Sequence, residues 1–109
     1  MAKTITINYN DRDYVLEFTK HTIKRMEDAG FVIQDAKTKP MTTLPTLFSG
    51  AFLANNRWIK QEAIDEIYDN LPDKEGLMQK LMEMYTDQVE SLFDEPEKSE
   101  KNAVWGANF

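Results

Sequence analysis

Between Lys3 and Phe18 the apolar positions fall on every second residue. Ile5, Ile7 and Tyr9 alternate with Thr4, Thr6 and Asn8, then Tyr14, Leu16 and Phe18 resume the same beat. A period of two belongs to a half-buried strand. Asn10-Asp11-Arg12-Asp13 between the two runs is turn-forming, since Asn and Asp side chains bond their own backbone. The pattern predicts a β-hairpin with one apolar face, which is marginal alone and needs a cover.

From Thr19 onward the period lengthens. Thr19 is placed to cap a short helix, Phe18 and Ile23 are spaced as a hydrophobic staple, and Gly30 suits the left-handed position past its end. Phe31 to Ile33 reads as a short extended piece and Asp35 to Thr43 as a loop. Leu44, Leu47, Phe48, Ala51 and Phe52 recur at helical spacing, with Pro45 in the first turn. Asn55-Asn56 separates this helix from one marked by Ile59, Ala63, Ile64, Ile67, Tyr68 and Leu71. Leu71-Pro72 stops it, Asp73 caps a successor, and a last helix is expected from about Lys74 to Phe93. The expected architecture is α+β: an N-terminal hairpin packed on about four helices. We take residues 1–94 as one domain and 95–109 as a flexible polar tail ending in aromatics, Trp105 and Phe109.

Composition then removes whole classes of function. A hydrophobic content of 41% supplies a core for a chain of 109 residues, so global disorder is not expected. Thirteen Lys and Arg stand against nineteen Asp and Glu, a formal net charge of −6 that repels phosphate backbones. Nucleic acid is therefore not the expected partner, and the small basic group Lys20, Lys24 and Arg25 is offset by Glu27 and Asp28. With no cysteine there is no disulfide, thiolate nucleophile or cysteine metal site. No apolar run approaches the roughly 20 residues of a membrane span, and the N-terminus lacks the apolar core of a signal peptide. A cytoplasmic protein without membrane contact is expected.

Candidate chemistry is sparse. His21 is the single histidine, and Asp65, Glu66 and Asp69 fit a solvated helix face opposite Ile64, Ile67 and Leu71. Ser49 and Ser91 have no base but His21, and the four glycines form no phosphate loop. No catalytic residue, cofactor or metal site is assigned. The last helix is richer in information. Met78, Met82 and Met84 sit with Tyr85 among leucines, and Met84 lies off the line joining Leu77, Leu81, Tyr85 and Leu92. Methionine fills irregular space and is frequent on surfaces that accept varied partners. Such a helix is either buried on two sides or offers part of its face to a partner. Met78, Met82, Met84 and Tyr85 are the partner-binding candidates there, and Trp105 and Phe109 those of the tail.

The order of these features resembles a known family. An Ile/Thr-rich hairpin and a short helix lead into LPTLFSGAFLANN and then IKQEAIDEIYDNLPDKEGLMQKLMEMYTDQVESL. This resembles the tail assembly chaperones of long-tailed phages and prophages of Gram-positive bacteria, over roughly Lys3 to Phe93. The resemblance implies a non-enzymatic protein of the host bacterial cytoplasm. It would self-associate and coat the hydrophobic, helical tape measure protein before tail tube subunits polymerise. It also implies that a longer form is made by ribosomal frameshifting, and Glu100-Lys101-Asn102 is compatible with a slippery codon run. Two alternatives stand beside it: a small structural tail or neck component of a phage particle, and an acidic protein-binding regulator.

Overall fold

The structure is a computed structural model that describes residues 3–95 and 103–109. Strands β1 (Ile5–Tyr9) and β2 (Arg12–Leu16) form a two-stranded antiparallel sheet. The register pairs Ile5 with Leu16, Ile7 with Tyr14 and Tyr9 with Arg12. The expected four-residue turn is in fact two residues long. Asn10 and Asp11 both take positive φ (52° and 62°), a twist that matches the strands, so Arg12 and Asp13 already belong to β2.

This register aims the backbone groups of Thr6 and Asn8 outward on β1, and those of Val15 outward on β2. The β2 side is closed. Asn56 Nδ2 donates to the Val15 carbonyl at 2.9 Å, and the Glu17 amide donates to the Ala51 carbonyl at 3.0 Å. Asn55 Nδ2 adds a bond to Glu17 Oε1 at 3.1 Å. Among the described residues no backbone bond is made on the outer side of β1. Lys3, just before β1, reaches Asp87 and Glu83 of the last helix, and the bond to Asp87 holds its ammonium above the usual lysine range.

Helix α1 (Lys20–Asp28) starts and stops as its sequence dictates. The Thr22 amide donates to Thr19 Oγ1 and the Thr19 amide to Thr22 Oγ1, a reciprocal cap, while Phe18 and Ile23 are both buried beside it. Gly30, at φ 96°, ends it. Its amide donates to the Glu27 carbonyl and the Phe31 amide to the Met26 carbonyl, both at 2.9 Å, which satisfies two otherwise orphaned acceptors.

Beyond Phe31 the structure departs from expectation. Of the expected extended piece Phe31 to Ile33, Val32 is extended (φ −129°, ψ 113°), but Ile33 already opens a 3-10 turn, Ile33–Ala36. Helix α2 spans Pro40–Gly50, so the expected loop gives way to helix at residue 40. The Pro that starts it is Pro40, whose missing N–H is harmless at a first helical position, whereas Pro45 lies inside. Helices α3 (Gln61–Asp69) and α4 (Lys74–Glu90) follow, and α4 ends in a 3-10 turn, Ser91–Phe93. Asp73, in the left-handed region, caps α4 by accepting from the Gly76 amide at 3.2 Å.

The core is one cluster. Ile7, Leu16 and Phe18 come from the hairpin side, Ile23 and Met26 from α1, and Leu47 and Phe48 from α2. Ile64 and Ile67 of α3 and Met78, Leu81, Met84 and Tyr85 of α4 complete it with Phe31, Ala51 and Phe52. Helix α4 packs against both α1 and α2, which is why its apolar face is wider than one stripe and why Met84, off the main line, is buried. Tyr85 is the hub of that contact: its ring meets Phe18 and Phe31 edge-on, each at 5.4 Å. Gln88 Nε2 donates to the Phe18 carbonyl at 2.9 Å and fastens the far end of α4 to the start of α1.

Residues 103–109 have no regular structure and every one is exposed. The remainder of the polar stretch, with the codon positions Glu100 to Asn102, lies outside the described residues.

Candidate protein-binding groove

A cavity of about 630 Å³ opens between the end of α1, the 3-10 turn, α2, and the segment leading into α3. Its making begins with Gly30. The left-handed turn reverses the chain so that Phe31 packs back under α1 and the 3-10 turn runs beside α2. Helix α2 then presents two different faces. Leu47 and Phe48 enter the core, while Thr42, Thr43, Thr46, Ser49 and Gly50 line the groove. Those five recur at near-helical intervals and are small, so the wall they form is low and rich in hydroxyl groups.

Gly50 has a further role. A Cβ there would collide with the Met26 thioether, so the missing side chain lets Met26 of α1 lie directly across α2. Met26, Phe31, Phe52, Ile59 and Ile64 give the groove its apolar floor. Gln61 bridges the far end, donating to Ser49 Oγ at 3.0 Å and to Asp65 Oδ1 at 2.9 Å, which ties α2 to α3.

The rim is charged in the sense opposite to the protein as a whole. Arg25, Lys39 and Arg57 line it with a single carboxylate, Asp35. None of the three cations pairs with a described carboxylate. A smaller neighbouring cavity of about 240 Å³, lined by Thr19, His21 and Thr22, shares Arg25 and Arg57. Exposed apolar residues occur in the lining of the groove and next to lining residues in the chain. Val32 and Leu53 line it, and Trp58, between the lining residues Arg57 and Ile59, is 93% exposed. Met41, at the start of α2 between Lys39 and Thr42, is 89% exposed. Val32 and Leu53 thus add exposed apolar surface to the groove wall, while Met41 and Trp58 are exposed neighbours of lining residues in the chain and do not line it themselves.

The partner-binding candidates on α4 need correction. Met78, Met84 and Tyr85 are core residues, each 5% exposed or less, so they offer no surface in this fold. The physical reason is the double packing of α4 on α1 and α2. Met82 is half-buried at the edge of the cluster. In the tail, Trp105 and Phe109 are exposed, at 86% and 114%. The six candidates are therefore not brought together, and none of them lines the groove.

Sequence reasoning missed the groove. The available signals were the hydroxyl stripe from Thr42 to Ser49 and a tryptophan in the polar run Asn55-Asn56-Arg57-Trp58. Among the described residues no group of three or more His, Asp or Glu is placed to hold a metal ion, and no described helix is long and apolar enough to cross a membrane.

The structure defines a small α+β domain with one apolar-floored, basic-rimmed groove. The family model described as a domain of unknown function, DUF5055, matches residues 1–109, and the chain belongs to that family. No curated protein and no solved structure is similar to it.

Proposed function

We propose that this protein is a non-enzymatic tail assembly chaperone of a long-tailed phage or prophage. In this reading it binds the tape measure protein in the host cytoplasm and keeps it soluble until the tail tube polymerises. The observation that carries the reading is the groove between α1, α2 and the approach to α3: an apolar floor with Val32 and Leu53 exposed in its wall, and Met41 and Trp58 exposed next to lining residues in the chain. An amphipathic helix lays its apolar face into a groove of this kind, reading it through anchors on one helical side. The resemblance of the Leu44 to Leu92 segment to tail assembly chaperones supplies the identity of that helix as part of a tape measure protein. The net charge of −6 supports the same role, since an acidic coat keeps a hydrophobic client dispersed.

Co-expression with the tape measure protein of the same phage or prophage is the direct test. The client is expected to be soluble and co-purify with this chain, and to precipitate without it. Purified phage particles, examined by mass spectrometry, are expected to lack the chain. Its presence there in stoichiometric amount would assign it to the particle as a structural subunit. A client equally soluble without it would refute the chaperone reading.

A further inference from the structure

The groove and the C-terminal segment fit one another. We propose that Val104–Phe109 of one copy docks in the groove of a second copy and holds it until a partner displaces it. Three large apolar side chains, Val104, Trp105 and Phe109, are exposed at 93%, 86% and 114% within six consecutive residues. Gly106 follows the tryptophan with no atom near its missing Cβ, so the segment bends freely between its two rings. The groove supplies an apolar floor in a volume of about 630 Å³, within the range of cavities that enclose compact apolar groups.

Charge selects the same pair. The run Asp94 to Lys101 that leads into the segment carries four carboxylates, Asp94, Glu95, Glu97 and Glu100, against Lys98 and Lys101, a net of −2. The groove rim carries Arg25, Lys39 and Arg57 against Asp35, a net of +2. On a protein of net charge −6, this basic rim is where an acidic arm is drawn. The occupant is the segment of a second copy because within the single chain both rings stand free. This holds although the ten residues 94–103 span up to about 33 Å when extended.

Each copy then gives one segment and receives one. Such a head-to-tail contact closes into a ring or runs on as an open chain. The inference rests on the groove as a protein-binding site, and does not depend on the tape measure protein being the partner.

The test is sedimentation velocity on the full chain from micromolar to millimolar concentration. It is run beside a chain ended after Asn102 and beside the full chain carrying Trp105→Ser and Phe109→Ser. No residue of 103–109 joins the core, so both variants keep the fold. The parent is expected to self-associate as concentration rises, and both variants to do so at least about tenfold more weakly. A peptide of residues 103–109 added to the shortened chain is expected to shift amide resonances of Phe31, Leu53 and Ile59. A parent that stays monomeric, variants that associate like the parent, or peptide shifts confined to another surface would each overturn the proposal. Trp105 shielded independently of concentration would do the same, since it places the segment in its own groove. Binding of the shortened chain to a tape measure fragment is measured separately, so the loss of one reading leaves the other standing.

Discussion

Trp58→Ala separates binding from folding at a single position. The side chain is 93% exposed, so the fold buries about 7% of a group that buries some 150–250 Å² when covered. At about 25 cal/mol per Å² that is under about 0.5 kcal/mol of stability. Covered by a partner's helix, the same ring removes nearly its whole area from water. Tryptophans at interface centres commonly cost about 2 kcal/mol or more on truncation, or about thirtyfold in Kd. Phe52→Ala is the control. That ring is fully buried, packs edge-on to Phe48 at 5.1 Å, and its loss should cost about 3–5 kcal/mol. At roughly 4 °C per kcal/mol or more for a domain of this size, Phe52→Ala should lower Tm by over about 10 °C. Trp58→Ala should lower it by no more than about 4 °C. Calorimetric melting and isothermal titration with a tape measure fragment measure both quantities. A Trp58→Ala protein that melts and binds like the parent would refute the placement of the partner at this rim.

Three further outcomes follow from the packing. Leu81→Ala, at a fully buried position, should cost about 2–5 kcal/mol in urea denaturation, while Met82→Ala, half-buried at the cluster edge, should cost under about 1.5 kcal/mol; equal losses would contradict the burial. Gly50→Ala should change stability by less than about 1 kcal/mol, because its Cβ meets only the flexible thioether end of Met26, which must turn aside, while Ala favours the helix; pairing it with Met26→Ala should be non-additive, and strict additivity would show that the two side chains do not meet. Burial first, then the charge of Glu27, holds the Tyr85 hydroxyl above the ordinary value of 10.0. The folded state thus keeps a proton that the unfolded chain releases, so this stability is complete below pH 10.0 and is lost as pH rises through the higher folded value. Urea midpoints should hold from neutrality to about pH 9 and fall above 10, and Tyr85→Phe should remove part of that fall.

Much of this architecture is legible where one local signal has one meaning. Thr19 with Phe18 and Ile23, Gly30, and Asp73 each mark a helix end because backbone amides and carbonyls there need a partner or a left-handed turn. The alternation from Ile5 to Leu16 fixes which hairpin face is buried. The start of α2 is harder. Lys39-Pro40 followed by Met-Thr-Thr has the look of a loop, since β-branched residues favour helix weakly and the residue before proline avoids helical angles. Lys39 does avoid them, at φ −132° and ψ 58°, and so becomes the residue just outside the helix. Burial of Met84 and Tyr85 turns on α4 having two neighbours, which no pattern within α4 records. The groove is less legible still. Its walls come from α1, the 3-10 turn, α2 and the approach to α3, and its polar side is a stripe that alone looks like an ordinary wet helix face.

The two amides that close β2 give the hairpin a direction. Asn56 and Asn55 on the Val15 carbonyl, and the Ala51 carbonyl on the Glu17 amide, occupy the places where a third strand would have to bond. Any extended chain that joins this sheet, whether a neighbour's strand or a misfolded copy, must therefore arrive alongside Thr6 and Asn8 of β1. Growth on both sides, which lets stacked hairpins propagate as fibrils, needs first the loss of the Asn55 and Asn56 contacts and of the Glu17 amide bond to Ala51. Conversion of Asn56 to aspartate would set a carboxylate against the Val15 carbonyl, yet Asn55 and the Glu17 amide on the Ala51 carbonyl would still hold that side closed.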